Sequence, residues 1–304
     1  MESKILPAPL RPGDLLRVIT PSGALREFKA LQLSIEIWRS RGYRVEVSDN
    51  IQYNWGYLAD KDENRRHQLA TAWQDPDCRG ILCARGGFGS TRILENWSWE
   101  TNSSTPKWLI GFSDITALLW SLYNAGISGV HAPVMTTLAD EPTWSIERLF
   151  NWVEGRPLEH LKGCPWGGGV VTGLLLPGNL TVATHLLATP LLPNLDGVIL
   201  ALEDVTEAPY RIDRMLTQWR LSGVLGKVKG IALGSFTRCE PPANIPSFSV
   251  EEVVRDRLGG LNIPIVSDLP FGHDSPNAAL PVGAIATLDA DQGVLSLETK
   301  LKTI

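Results

Sequence analysis

Through its first half the chain alternates short apolar runs with longer stretches of helical spacing, and this alternation restricts the fold more than any other feature. Leu15 to Thr20 reads as a strand after the turn Arg11-Pro12-Gly13-Asp14. Thr20-Pro21-Ser22-Gly23 breaks it, and Ala24 to Arg41 carries helical periodicity through Leu25, Phe28, Leu31, Ile35 and Trp38. Tyr43 to Ser48 alternates as a second strand. Asp60 with Glu63 has capping-box spacing and opens a helix reaching about Trp73. Gly80 to Ala84 is a third strand, followed by Arg85-Gly86-Gly87-Phe88-Gly89 and a short helix from Ser90. Lys107 to Phe112 is the fourth strand, and Ile115 to Tyr123 the helix after it. Such a pattern implies an α/β fold with a doubly wound parallel sheet and helices on both faces. Ligands of that fold sit at the carboxyl ends of the strands. Both the glycine loop at 85–89 and Ser113 fall at such ends.

Residues 156–173 change character: Arg156-Pro157, Gly163-Cys164-Pro165 and Gly167-Gly168-Gly169 are turn and linker chemistry. With 304 residues favouring two domains of roughly 150 each, an N-terminal domain is placed at 1–158, a linker at 159–172 and a C-terminal domain at 173–304. The second half reads as strands at 170–176, 197–202, 230–236, 264–267, 282–288 and 293–297, with helices at 179–188, 208–221 and 249–258. It is mixed α/β and richer in strand than the first half. The 28 basic and 33 acidic residues leave a net charge of -5 with no basic block, so nucleic acid is not an expected partner. Cys78, Cys83, Cys164 and Cys239 show no C-x-x-C spacing, which speaks against a zinc or redox motif and for free thiols in a reducing compartment. The first residues lack the apolar core of a secretory signal, and no apolar run approaches the ~18 residues of a membrane span. A cytoplasmic protein without membrane partners is expected. Core packing accounts for most of the 11 tryptophans, with a ligand shelf open for one of them.

Gly111-Phe112-Ser113-Asp114 closes the run Trp108-Leu109-Ile110 and opens the helical run from Ile115. A serine there sits where backbone N–H groups point outward without intrahelical partners, a sound place for a nucleophile whose substrate becomes an oxyanion. The context is like a nucleophile elbow, although Ile115 stands where G-x-S-x-G has its second glycine. Ser113 also reads as an N-cap, stabilising its helix by about 1 kcal/mol. A serine hydroxyl further needs a base. Glu203-Asp204 follows the buried run from Val198 to Leu202, where a carboxylate can orient an imidazole. A capping or surface acid is the other reading, and Glu207 competes for the role. Among five histidines, His67 and His160 sit in polar helical stretches and His185 in a helix. His131, before Ala132-Pro133, rivals His273, which lies in the presenting loop Leu269-Pro270-Phe271-Gly272-His273-Asp274-Ser275-Pro276. The loop at 85–89 lacks the Lys-Ser/Thr of a P-loop, and its G-G-x-G is not G-x-G-x-x-G. Its glycines allow close backbone approach to a ligand, so it can donate an N–H to an oxyanion with the Asp114 N–H as second donor.

At this point the residues resemble the LD-carboxypeptidases, serine peptidases of peptidoglycan recycling also called muramoyltetrapeptide carboxypeptidases. The resemblance rests on Arg85-Gly86-Gly87-Phe88-Gly89-Ser90, Gly111-Phe112-Ser113-Asp114-Ile115-Thr116, Gly178-Asn179-Leu180-Thr181, Leu202-Glu203-Asp204-Val205, Pro209-Tyr210-Arg211-Ile212-Asp213-Arg214-Met215-Leu216 and Gly272-His273, in order along almost the whole chain. It implies an N-terminal domain similar to class I glutamine amidotransferases, flavodoxin-like in its winding, with a smaller mixed α/β C-terminal domain. It also implies a Ser113-Glu203-His273 triad, a homodimer, no metal and no cofactor. The murein tetrapeptide or a larger muropeptide is then the substrate, losing its terminal D-alanine. Asp114 and Gly87 become the oxyanion donors, and Arg85 a candidate for the substrate carboxylate, since its fork suits bidentate pairing. A structural role for Arg85 stands beside that. Phe88 departs from the tyrosine the family often has, and Leu175-Leu176-Pro177 from a more glycine-rich stretch. The microcin-C self-immunity proteins resemble the same family and cleave an aminoacyl-nucleotide amide, which is the alternative activity. A non-catalytic binding protein on a flavodoxin-like scaffold is a third reading.

Overall fold

The computed structural model describes residues 4–49, 51–99, 105–241 and 243–298, in two compact units. One unit runs through Leu158 and takes in Ala278–Gly283; the other holds Glu159–Asn277 and Ala284–Glu298. The first unit begins β1 (Leu15–Ile19), α1 (Phe28–Ser40), β2 (Arg44–Val47), α2 (Asp62–Gln74), β3 (Cys78–Cys83) and α3 (Ser90–Ile93). It continues with β4 (Trp108–Gly111), a 3-10 turn at Ser113–Ile115, α4 (Thr116–Asn124), β5 (Val130–His131) and α5 (Thr143–Val153). The second unit contributes β6 (Leu161–Lys162), β7 (Cys164–Pro165), β8 (Val170–Asn179), α6 (Leu180–Leu186), β9 (Val198–Val205), α7 (Pro209–Leu221), β10 (Gly230–Thr237), α8 (Val250–Leu258) and β11 (Ile265–Ser267). The chain re-enters the first unit as β12 (Leu280–Pro281), then completes the second with β13 (Ile285–Asp289) and β14 (Val294–Leu297).

The first sheet has the order β12-β5-β4-β3-β1-β2. The pairs among β1 to β5 are parallel, as the alternation predicts, but β12 adds an antiparallel edge through Leu280 opposite His131. This sheet is therefore mixed. The order steps away from β1 in both directions, to β2 and to β3, and the loops after β1 and β3 meet at that switch. Its strands are continuous apolar runs because helices cover them: all of β4 is buried, with Trp108, Trp38, Trp73, Trp120 and Phe150 fully so. Most tryptophans read as core thus lie there; Trp108 donates its indole N–H to the Ala8 carbonyl at 3.0 Å, whereas among the described residues that of Trp38 is buried without a hydrogen-bond partner.

The second sheet has the order β6-β14-β13-β8-β9-β10-β11-β7, parallel from β8 to β11 and antiparallel at both flanks. Residues 161–165, within the stretch read as linker, pair into this sheet. The strand expected over 282–288 forms only from Ile285, as β13 of the second unit, while Val282 and Gly283 belong to the first. Gly283, at φ 80° and packed so that a Cβ would lie 2.8 Å from Lys4 Cγ, makes the break.

Other expectations shift for local reasons. The box expected from Asp60 and Glu63 does not form: α2 begins one residue later, after Lys61, and the Asp60 carboxylate accepts the Lys61 N–H at 2.7 Å. α1 starts at Phe28 rather than Ala24, because Gly23 and Ala24 bond to neighbouring loops. Helix α5 went unread, although Leu149, Phe150, Trp152 and Val153 form a buried stripe. No described helix is long and apolar enough to cross a membrane.

Candidate active site

In the first unit, β4 delivers Ser113 into a sharp turn. Phe112 is extended, Ser113 has φ 63°, and the next residues enter the 3-10 turn that leads into α4. A serine in the left-handed region costs of order 1–3 kcal/mol and persists only where its surroundings impose it. The cap position belongs to Phe112, which makes no side-chain cap bond. The N-cap reading of Ser113 is thereby replaced by an elbow.

Gly86 explains the missing second glycine of the elbow. A Cβ on Gly86 would come within 3.0 Å of Ser113 Cβ, 3.1 Å of Ser113 Oγ and 3.5 Å of the Asp114 nitrogen. The close approach that a hydrolase elbow obtains from its own second glycine comes here from the loop after β3. That loop is bolted down on both sides. The Gly23 N–H donates to the Gly86 carbonyl at 3.1 Å, and the Ser90 N–H reaches the Asp114 carboxylate at 2.8 Å while Ser90 Oγ donates to the Asp114 carbonyl at 2.5 Å. The Asp114 side chain is thus structural.

Arg65 is the residue that sequence reading missed. It is fully buried, and its guanidinium donates to the carbonyls of Asp60 (3.1 Å), Gly89 (2.8 Å) and Pro21 and to the Asp62 carboxylate (2.5 Å). One side chain ties the loop after β1 to the loop after β3. Burial lowers its pKa, and Asp62 opposes that. Set in the polar run Glu63-Asn64-Arg65-Arg66-His67, it carries no local sign of burial. Arg85 braces the same loops, donating to the Ala24 carbonyl at 2.5 Å with Glu27 at 3.6 Å.

In the second unit the predicted acid and imidazole meet. His273 Nδ1 lies 2.6 Å from Glu203 Oε2, with the Glu203 side chain fully buried and that of His273 at 16% exposure. Among the described residues, Glu203 Oε1 is buried without a hydrogen-bond partner. Gly272 makes the approach possible. At φ 128°, a Cβ there would meet Ser235 Oγ at 2.4 Å and Glu203 Cβ at 3.1 Å. Its N–H donates to Asn277 Oδ1 at 3.0 Å, which fixes the loop.

Glu203 and Asp204 do not follow their strand, as the sequence suggested, but lie within β9. Successive side chains of a strand point to opposite faces, so only one of the two acids can face His273. Asp204 takes the other side and accepts Asn179 Nδ2 (3.0 Å), the Thr181 N–H (2.9 Å), Thr181 Oγ1 (2.8 Å) and its neighbour Val205 N–H (2.8 Å). Burial pushes its carboxyl up to about 6, while these donors pull the other way. Asn179 also caps α6 by accepting the Val182 N–H at 3.0 Å.

The competing residues are accounted for. Glu207 pairs with Arg211 at 3.5 Å. His131 is buried in β5, edge-on to Phe112 with centroids 5.8 Å apart. His185 contacts the Thr181 carbonyl at 2.7 Å, and His67 lies 3.5 Å from Thr71 Oγ1. Among the described residues, no group of three or more His, Cys, Asp or Glu side chains is placed to hold a metal ion.

Residues 16–132 match the N-terminal domain of the LD-carboxypeptidases and residues 172–288 their C-terminal domain. A putative carboxypeptidase of Synechocystis is 57% identical over 290 residues, covering 95% of this chain and 96% of that one. The murein tetrapeptide carboxypeptidase of Pseudomonas aeruginosa is 31% identical, with 90% and 93% covered. The crystal structure of muramoyltetrapeptide carboxypeptidase from Oxalobacter formigenes superposes with a TM-score of 0.82 at 29% identity, over 93% of this chain and 97% of that one. With both domain models matched in order and these relatives spanning nearly its full length, the chain belongs to the LD-carboxypeptidase family.

Proposed function

We propose that this carboxypeptidase is a serine enzyme of peptidoglycan recycling that cuts the L-to-D amide bond of murein tetrapeptides and releases the terminal D-alanine. The observation that carries the reading is the contact of His273 Nδ1 with a fully buried Glu203 carboxylate. That contact leaves Nε2 to act as base, the tautomer a Ser-His-acid system needs. In the proposed reaction His273 takes the Ser113 proton, and Ser113 Oγ attacks the carbonyl of the diamino acid residue. The N–H groups of Asp114 and Gly87 hold the oxyanion. His273 then protonates the departing D-alanine amine while Glu203 stabilises the imidazolium. Water, activated by the same imidazole, hydrolyses the acyl-enzyme. Arg85, 31% exposed, is the proposed partner for the substrate's terminal carboxylate in addition to its bracing role. We further propose a homodimer acting in the cytoplasm, where recycled muropeptides are processed.

The test is D-alanine release from purified murein tetrapeptide. Ser113→Ala should reduce turnover to background, and turnover equal to the parent enzyme would sink the mechanism. Arg85→Ala should raise KM with little change in kcat, because a group that binds substrate and transition state alike changes KM alone.

A further inference from the structure

Beside the elbow the first unit exposes aromatic rings that the chemistry above leaves unused. Tyr57 is 65% exposed, Phe88 51% and Trp55 45%. The Tyr57 and Phe88 rings lie 5.9 Å apart between centroids, tilted by 56°. Large exposed rings on a mobile loop would be unremarkable, but this pair is held. Trp55 and Leu58 exchange N–H···O bonds of 2.9 and 3.1 Å, making a tight turn with Gly56 and Tyr57 at its tip. The Ala24 N–H then donates to the Tyr57 carbonyl at 3.0 Å, and Gly23 bonds to Gly86 as described. Phe88 is two residues beyond Gly86, which abuts Ser113. The backbone that carries both rings is therefore anchored to the nucleophile's own surroundings.

We infer that Tyr57 and Phe88 form a sugar-binding shelf, a subsite for the muramoyl ring of peptides that still carry their glycan. The inference rests on the function proposed above and adds to it a preference among substrates. The stem peptide is rich in carboxylates and offers no flat apolar face to an aromatic pair, whereas a pyranose presents a face of C–H groups that packs on exposed rings. The scale also fits. Phe88 lies two residues from Gly86, at most about 7 Å, which places the shelf within the length of a three-residue stem from the nucleophile. A rigid platform loses little freedom on binding, which favours affinity.

The experiment compares D-alanine release from the free tetrapeptide and from the same tetrapeptide linked to N-acetylmuramic acid. Tyr57→Ala and Phe88→Ala should each raise KM for the sugar-linked substrate by about five-fold, leave kcat in place, and leave both constants for the free tetrapeptide unchanged. Phe88→Tyr, which keeps the ring, should behave as the parent. Equal effects on both substrates, or no effect on either, would overturn the shelf. Binding of N-acetylmuramic acid alone, read by saturation-transfer NMR, decides the matter independently of turnover. Transfer to the sugar that is lost in Tyr57→Ala supports the shelf, and absent or unaltered transfer refutes it. Should the parent enzyme release D-alanine from neither substrate, the proposed function falls while the sugar titration still judges the shelf.

Discussion

A single glycine at residue 272 controls whether the acid and the imidazole of this protein can meet. Gly272→Ala sets a Cβ 2.4 Å from Ser235 Oγ in a backbone region that L side chains avoid, so a loss of about 1–3 kcal/mol in stability is expected together with a fall in turnover. Denaturant titration beside the D-alanine assay checks both. Glu203→Gln isolates the orientation of the imidazole. The amide keeps the shape of the side chain but loses the charge that stabilises an imidazolium, so kcat should fall by about 10²–10⁴-fold with KM little changed. A loss below tenfold would remove Glu203 from the mechanism. At this scale residue types were legible and residue roles only partly. Ser113, Glu203 and His273 stood out through their neighbours, and His273 through the loop composition around it. The choice of Glu203 over Asp204 was not readable from position after a strand, because both acids lie inside the strand and its alternation separates them.

Elements were legible wherever the period was long and clean. Helix α7 begins at Pro209 and ends at Leu221, close to its expected bounds, because proline at the first turn and a buried stripe of Ile212, Met215, Leu216 and Trp219 mark it. Helix α8 carries a true capping box, Ser249 with Glu252. Ser249→Ala should cost about 1 kcal/mol, read from a shift in the denaturation midpoint. The loops at the carboxyl ends of β1 and β3 are held by Arg65 of α2 as well as by their own Gly23–Gly86 and Arg85–Ala24 bonds. Arg65→Met would leave the Pro21, Gly89 and Asp60 carbonyls without this donor, at about 3 kcal/mol or more. Arg65→Lys should recover less than half, since an ammonium cannot reproduce the planar fork. Full recovery by lysine would mean that charge alone is needed. The Asp60 box failed as a reading for a related reason: a spacing of three identifies a box only once the helix start is known, and packing moved that start by one residue.

For the whole molecule, the raised Asp204 carboxyl links stability to pH. Its folded value of about 6 lies above the ordinary 3.8, so the native state binds more protons than the unfolded chain between those two values. This group's contribution is therefore fully present below about pH 4 and is lost as pH rises through about 6, by at most about 3 kcal/mol. Asp204→Asn removes that slope. The stability of the variant relative to the parent should shift in the variant's favour between pH 4 and pH 7, whatever constant cost its altered hydrogen bonds add. Thermal melts of both proteins across that range give the measurement, and parallel curves would refute the linkage.

The chain by itself determined where strands and helices alternate, which ends carry glycine and serine, and which residue types stand ready for acyl transfer. Those properties are written in periods of two and 3.6 residues and in neighbours within one turn, so a window of sequence contains them. Tertiary structure alone decided that Arg65 lies buried under two loops, that Glu203 faces His273 while Asp204 faces Asn179, that residues 280–281 close the first sheet and 285–289 join the second, and that Gly86 does the work of an elbow's second glycine. Each of these depends on which distant segment packs against a residue, and burial, facing and close approach are properties of the pair.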